Sequence, residues 1–234
     1  MSDLPQPPNG PPDGPPRAII FDWDNTLVET WPVIHAALHE TFVTMEVEPW
    51  TFEETKARVR HSMQESFPKL FQDRWETARD VFYGAYEKAH LEHLEPCEGA
   101  GELLATLDGY GVPLCVVSNK TGRYLRLEAA HLGWSGYFGQ LVGAGDAARD
   151  KPAPEPVALA LQGSGVEPGD DVWMVGDSGV DMEIAYATGL KPVVLRREPA
   201  PAGEFDKFPP SSQFSSCAAL AAFVETFLVE TPPQ

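Results

Sequence analysis

The sequence predicts an α/β protein, a doubly wound, Rossmann-like parallel sheet with a helical subdomain inserted after its first strand. Three observations carry this expectation. Five short, continuously apolar runs alternate with segments of helical period. Glycine stands just beyond three of the helical segments, where it accepts the left-handed conformation that stops a helix. About ninety residues separate the first run from the second, far more than one crossover helix uses.

The first run is Ala18-Ile-Ile-Phe21, and the second is Pro113-Leu-Cys-Val-Val117. Gln140-Leu-Val142, Asp171-Val-Trp-Met-Val175 and Pro192-Val-Val-Leu195 follow. Runs this short and this apolar suit strands buried on both faces, as in a parallel sheet covered by helices. Between them Leu103, Leu104, Leu107 and Tyr110 form a helical stripe closed by Gly111. Leu125, Ala129 and Leu132 form another closed by Gly133, and Val180, Ile184 and Thr188 a third closed by Gly189. In the long interval, Ile34, Leu38, Phe42 and Met45 recur at helical spacing, with Pro32 in the first turn. Trp75, Ala78, Phe82, Ala85 and Ala89 do the same, so residues 30–95 read as a small helical bundle whose aromatics form its core. Residues 17–29 and 96–230 then make the α/β core. Residues 1–16 hold seven prolines and almost nothing to bury, and read as a disordered tail. A second loop-like stretch runs from Glu198 to Ser216.

Seventeen basic against thirty-five acidic residues give a formal charge of −18. Clustered Lys and Arg hold phosphate backbones, so the balance argues against a nucleic-acid partner and against anionic membranes. A small phosphorylated metabolite is compatible with it, because a few local cations or one metal ion reverse the field inside a pocket. No apolar run approaches the roughly 20 residues of a membrane span, and the N-terminus lacks the order of a signal peptide. Cys97, Cys115 and Cys217 are few, odd in number and far apart, as expected of reduced thiols in a cytoplasmic protein. Cys115 sits in an apolar run and reads as a core side chain.

Four polar clusters begin where an expected strand stops, the edge at which open α/β sheets bind ligands. Asp22-Trp-Asp24-Asn-Thr26 follows the first run, its two acids lying on the same side of an extended chain. Ser118-Asn119-Lys120 follows the second and is expected to open a helix, with hydroxyl and N–H groups suited to an anion. Lys151-Pro152 follows the third, and Gly176-Asp177-Ser-Gly-Val-Asp181 the fourth. Asp177 and Asp181, four apart, are expected to share a helix face. Two like charges so close are unfavourable unless a cation joins them, which points to a divalent metal with oxygen ligands. Singly, each cluster reads equally well as a helix cap, a turn or a solvated charge. Four in sheet order are hard to explain by independent capping.

Together these motifs resemble those of the haloacid dehalogenase-like hydrolases, over about residues 17–195, with a phosphoglycolate-phosphatase-like subgroup nearest. Trp23 and Asn25 stand where the family's first motif usually has Phe and Gly. The resemblance implies that the 30–95 insert is a helical cap and that the chain is a Mg²⁺-dependent phosphatase of a small organic phosphate monoester. It implies Asp22 as the nucleophile, forming an aspartyl-phosphate, and Asp24 as the acid/base. Mg²⁺ would be held by Asp22, the backbone carbonyl of Asp24, Asp177 and Asp181. Lys151 would bind nucleophile and phosphoryl oxygens, and Ser118 with Asn119 would hold the remaining oxygens, Thr26 and Lys120 adding substrate contacts. Arg60 and His61, between cap helices, are expected to meet the substrate's own carboxylate or hydroxyl. A phosphosugar mutase of the same fold and a catalytically silent phosphate-binding module are the alternatives. Haloacid dehalogenation needs neither the metal-binding acids nor an acid/base at Asp24. The chain is expected to act as a monomer or homodimer.

Overall fold

The computed structural model describes residues 10–59 and 63–228, so Arg60 and His61 lie outside the described residues. In chain order the first elements are β1 (Ala18–Phe21), β2 (Val28–Glu29), α1 (Trp31–Thr44), α2 (Phe52–Arg58), α3 (Met63–Phe71), α4 (Trp75–Glu92) and β3 (Glu95–Pro96). There follow α5 (Ala100–Gly109), β4 (Leu114–Thr121), α6 (Gly122–His131), β5 (Phe138–Ala144) and α7 (Glu155–Ala160). The chain continues through β6 (Val172–Gly176), α8 (Gly179–Thr188), β7 (Lys191–Leu195), β8 (Ser212–Phe214) and α9 (Cys217–Leu228). It parts into two compact units, Glu29–Glu95 and the remainder. A two-stranded ribbon of β2 and β3 forms where the chain passes from one unit to the other.

The larger unit is a six-stranded sheet in the order β5-β4-β1-β6-β7-β8, with parallel pairing throughout. The chain winds outward from β1 to β4 and β5, then crosses back to build β6, β7 and β8 on the other side. The order therefore reverses at β1, which puts a ligand crevice beyond the carboxyl end of that strand. Phe21 is in register with Val116 and with Val175, so Asp22, Ser118 and Asp177 emerge along one edge of the sheet. Alternation sends Ala18 and Ile20 to one face, where they pack with Cys115, Val117, Met174 and Ile184. Cys115 is thus a core side chain. Each large apolar residue buried on β1 contributes about 1.5–3 kcal/mol, which anchors the strand that carries Asp22.

Two expectations are corrected here. The sequence predicts a loop over Glu198–Ser216, yet Ser212–Phe214 adds β8 at the sheet edge. Ser212 and Phe214 are half-buried and Gln213 is exposed, so the segment holds no apolar run that could announce a strand. Ser118-Asn119-Lys120 does not open a helix: β4 runs on through Thr121 and α6 starts at Gly122. Its side chains keep alternating, Ser118 and Lys120 buried, Asn119 and Thr121 exposed. The pairing with β5 is irregular between Val117 and Thr121. Strand period survives there in polar residues, where an apolar template cannot see it. α9 also lies beyond the expected helices; its Phe223 and Phe227 rings pack on Trp173.

The smaller unit is a helical bundle in which α1 packs along α4. Ala37, Leu38, Phe42, Met45, Phe67, Phe71, Ala78, Phe82 and Ala85 form its core. The aromatic stripe is therefore packing, with Phe42 and Trp50 centroids 4.8 Å apart. α2 begins at a reciprocal capping box in which Thr51 and Glu54 satisfy each other's backbone N–H groups.

Candidate active site

The site is built outward from β1. The Asp22 N–H donates to the Val175 carbonyl at 2.8 Å, so bonding to β6 still holds the backbone of Asp22, one residue past the end of β1. The chain then folds back on itself, with Leu27 and Val28 N–H groups both donating to the Trp23 carbonyl, at 2.9 and 3.1 Å. This turn places Asn25 in the left-handed region, φ +58°. Glycine enters that region freely and Asn more readily than most residues, which explains why Asn25 serves where the family's motif has Gly.

Lys151 comes from the loop after β5, and its Nζ donates to Asp22 Oδ1 and Asp181 Oδ1, each at 2.7 Å. All three side chains are buried. Asn119 Nδ2 donates to the Lys151 carbonyl at 3.2 Å, so this residue steadies the lysine's loop. Ser118 is buried, and its Oγ accepts the Lys120 N–H at 3.1 Å. Thr26 is buried with its hydroxyl 3.4 Å from Asp22 Oδ2, a long contact. Lys120, expected to touch substrate, directs its ammonium to Asp24 Oδ1 at 2.7 Å and Glu128 Oε2 at 2.5 Å.

Asp177 and Asp181 do not share a helix face, contrary to the spacing argument. Ser178 is the N-cap of α8, so Asp177 stands before the helix and Asp181 is its third residue. Asp181 Oδ2 accepts the Ser178 N–H at 3.1 Å and the Ser178 hydroxyl at 2.6 Å, a capping box with the shorter Asp in place of the usual Glu. Gly176 makes this possible, because a Cβ there would run into the Asp181 carboxylate. What brings the two acids together is the sharp strand-to-helix turn.

Asp22, Asp177 and Asp181 can each offer one carboxylate oxygen with all three within 4.8 Å of one another. Burial raises the Asp22 carboxyl to about 7, Lys151 opposing the shift while Asp181 and Asp24 add to it. Burial, then Asp22 and Asp181, raise Asp177 to about 8 against the pull of Arg196 and Lys151. Burial opposes the charge on Lys151, but Asp181 and Asp22 override it and hold the ammonium above the ordinary lysine range. Three acids around one lysine leave an excess of negative charge. A divalent cation with hard-oxygen preference removes that excess, so the donor set fits one.

Two contributors escaped the sequence reading. Arg196 Nη1 donates to the Asp177 carbonyl at 3.2 Å and pairs with Glu204 at 2.9 Å. Arg196 directly follows β7, and that position at the ligand-binding edge was its only signal. Glu204 also accepts the Gly179 N–H at 3.3 Å, from a loop that carries no motif.

The parallel sheet, the carboxylate held at its switch point and the three-acid cluster make a candidate hydrolase active site whose donor set fits a divalent metal. The chain belongs to the haloacid dehalogenase-like hydrolase family, whose model matches residues 19–195. A phosphoglycolate phosphatase of Rhodospirillum rubrum is 32% identical over 192 residues, 77% of this chain and 79% of its own length. The phosphoglycolate phosphatase of Aquifex aeolicus is 28% identical over 179 residues, 75% of this chain and 82% of its own. Among solved structures, a HAD-superfamily hydrolase from Ehrlichia chaffeensis matches with a TM-score of 0.65 at 26% identity, covering 93% of this chain and 100% of that one. No helix among the described residues is long and apolar enough to cross a membrane.

The charge excess has a measurable consequence. An unfolded Asp ionises near pH 4, whereas native Asp177 does so near 8. Between those values the folded state holds a proton that the unfolded state has lost, so metal-free stability falls as pH rises and the full penalty persists above 8. Asp177→Asn should flatten that slope and raise the metal-free Tm at pH 8 by a few degrees, about 1 kcal/mol moving Tm by 2–4 °C in a chain of this size. It should also shrink any Tm rise that an added divalent cation, tested as Mg²⁺, is expected to give the wild type. Thermal melts with EDTA and with Mg²⁺ check both; a lower metal-free Tm at pH 8 would contradict the repulsion argument.

Proposed function

We propose that the protein is a Mg²⁺-dependent phosphatase of a small organic phosphate monoester, with 2-phosphoglycolate the leading substrate, acting through an aspartyl-phosphate at Asp22. The observation that carries this reading is the Asp22 carboxylate, held by Lys151 at the switch-point edge inside the three-acid cluster. Likeness to relatives named as phosphoglycolate phosphatases supports the substrate.

Asp22 attacks phosphorus, forming an Oδ–P bond as the P–O bond to the leaving alcohol breaks. Asp24 gives its proton to that leaving oxygen, then takes one from the water that attacks the acyl-phosphate and regenerates Asp22. Lys151 screens the approach of carboxylate to phosphate and contacts the phosphoryl oxygens. The Ser118 hydroxyl and the N–H groups after Asp22 bind the others, Asn119 acting through the Lys151 loop. Asp22, Asp177 and the Asp24 carbonyl, with Asp181 directly or through water, would hold Mg²⁺, which would supply positive charge to offset the repulsion between carboxylate and phosphate.

The test is a panel of phosphate monoesters with purified protein and Mg²⁺, ranked by kcat/KM. We expect inorganic phosphate to be released, with 2-phosphoglycolate among the best esters. Isomerisation of a sugar phosphate without phosphate release would establish the mutase instead. No turnover of any ester would leave only a phosphate-binding scaffold.

A further inference from the structure

The carboxylate of Glu128 on α6 is fully buried, yet the proposed chemistry makes no use of it. Its Oε2 accepts from the Trp23 indole Nε1 at 2.7 Å and from Lys120 Nζ at 2.5 Å. The same Lys120 ammonium reaches Asp24 Oδ1 at 2.7 Å. Trp23 is itself fully buried, its ring edge-on to Trp134 and Phe138 at centroid distances of 6.0 and 6.3 Å. A chain of contacts therefore runs from the packed indole through Glu128 and Lys120 to the side chain of Asp24.

Burying a carboxylate and an ammonium is expensive, and well-packed apolar residues would often serve stability as well or better. Stability alone therefore gives weak reason for this pair. The one member that faces solvent is Asp24, whose side chain is 29% exposed on a turn, against 4% for Lys120 and 0% for Glu128. A short acidic side chain in that setting samples several rotamers unless something holds it. Lys120 alone would be a poor clamp, being a flexible four-carbon stem with a rotatable head. Glu128 removes that freedom, because it fixes the ammonium from the helix side, and Trp23 in turn fixes Glu128.

We infer that Glu128 is a positioning residue for the reaction: through Lys120 it holds the Asp24 carboxylate in the orientation from which it serves the leaving oxygen, with Trp23 as the anchor. This rests on the acid/base role proposed for Asp24. It reassigns Lys120 from the substrate to the machinery, and it gives the Trp at position 23 a task that Phe cannot perform, since Phe has no N–H to donate.

The test uses two esters of nearly the same shape, phenyl phosphate and p-nitrophenyl phosphate. Phenolate is the more basic leaving group and needs the proton more. Through kcat/KM only the steps up to leaving-group departure are read, so later hydrolysis of the acyl-enzyme does not intrude. Glu128→Gln keeps the shape and should lose about 10–100-fold in kcat/KM on phenyl phosphate, at most the low end of the roughly 10²–10⁴-fold that a whole acid/base contributes, and several-fold less on p-nitrophenyl phosphate. In an Asp24→Asn background the same change should add almost nothing, because residues acting as a unit are not additive. Trp23→Phe should show the same leaving-group selectivity at smaller size, and it carries the test should Glu128→Gln fail to fold. Equal losses on the two esters, or losses that add to those of Asp24→Asn, would reduce Glu128 to a structural residue and overturn the inference. If Asp24→Asn itself loses equally on both esters, the acid/base reading fails and the inference falls with it. If Asp24→Asn is selective and Glu128→Gln is not, the inference alone fails.

Discussion

Asp22→Asn is expected to lower turnover by about 10⁴-fold or more, the scale on which removal of a nucleophile acts, while making the metal-free protein more stable. The amide cannot attack phosphorus, and it is a poorer metal ligand than a carboxylate. Its Oδ1 still accepts from Lys151, so the geometry of the cluster survives. The gain in stability follows from the sign of the shift. Asp22 ionises near 7 in the native state because burial, Asp181 and Asp24 outweigh the help of Lys151, against about 4 in the unfolded chain. Above pH 7 the wild type therefore carries a penalty that the variant lacks, and the difference shrinks as pH falls toward 4. Phosphate release and metal-free thermal melts at pH 8 and pH 5 measure the two halves. Near-normal turnover, with contamination excluded, would remove Asp22 from the chemistry.

Lys151→Ala is expected to fail on both counts. The ammonium bonds two buried carboxylates and is the cation they share. Removing one partner of a buried pair leaves an uncompensated charge and costs about 3–5 kcal/mol, or roughly 10 °C in Tm for a chain of this length. Activity should drop by about 10²–10³-fold, the loss seen when a single group stabilising the transition-state charge is deleted. The loss should be similar for every ester, because Lys151 serves the phosphoryl group they have in common. Opposite stability effects from Asp22→Asn and Lys151→Ala, measured side by side, distinguish a cluster short of positive charge from one that is merely well packed. A strongly substrate-dependent loss would place Lys151 against the leaving group.

The central strands were legible because Ile19, Ile20, Phe21 and Val172–Val175 are buried on both faces, and such burial demands an unbroken apolar run. Ser212–Phe214 sits at an edge, makes no such demand and left no mark. The four polar clusters were readable from where they fall, at the ends of strands. Their geometry was not. The spacing of Asp177 and Asp181 suggested a helix face, whereas a cap at Ser178 and a glycine at 176 create the contact. Glu128 was the deepest omission. It lies three residues after Leu125 and four before Leu132, at the border of the stripe they form with Ala129, where an acid ordinarily reaches water. Only the fold shows an indole and an ammonium converging on it.

The covalent intermediate at Asp22 is the centre of the account, and rapid quenching tests it most directly. The enzyme with Mg²⁺ is mixed with its best ester, stopped in acid within milliseconds, and digested for mass analysis, with a parallel sample trapped by borohydride. A phosphoryl adduct on the peptide containing Asp22, appearing before free phosphate and reduced by borohydride at that residue, is the predicted result. Steady turnover with no carboxylate of the protein ever labelled would contradict it, and would mean that water attacks the substrate directly.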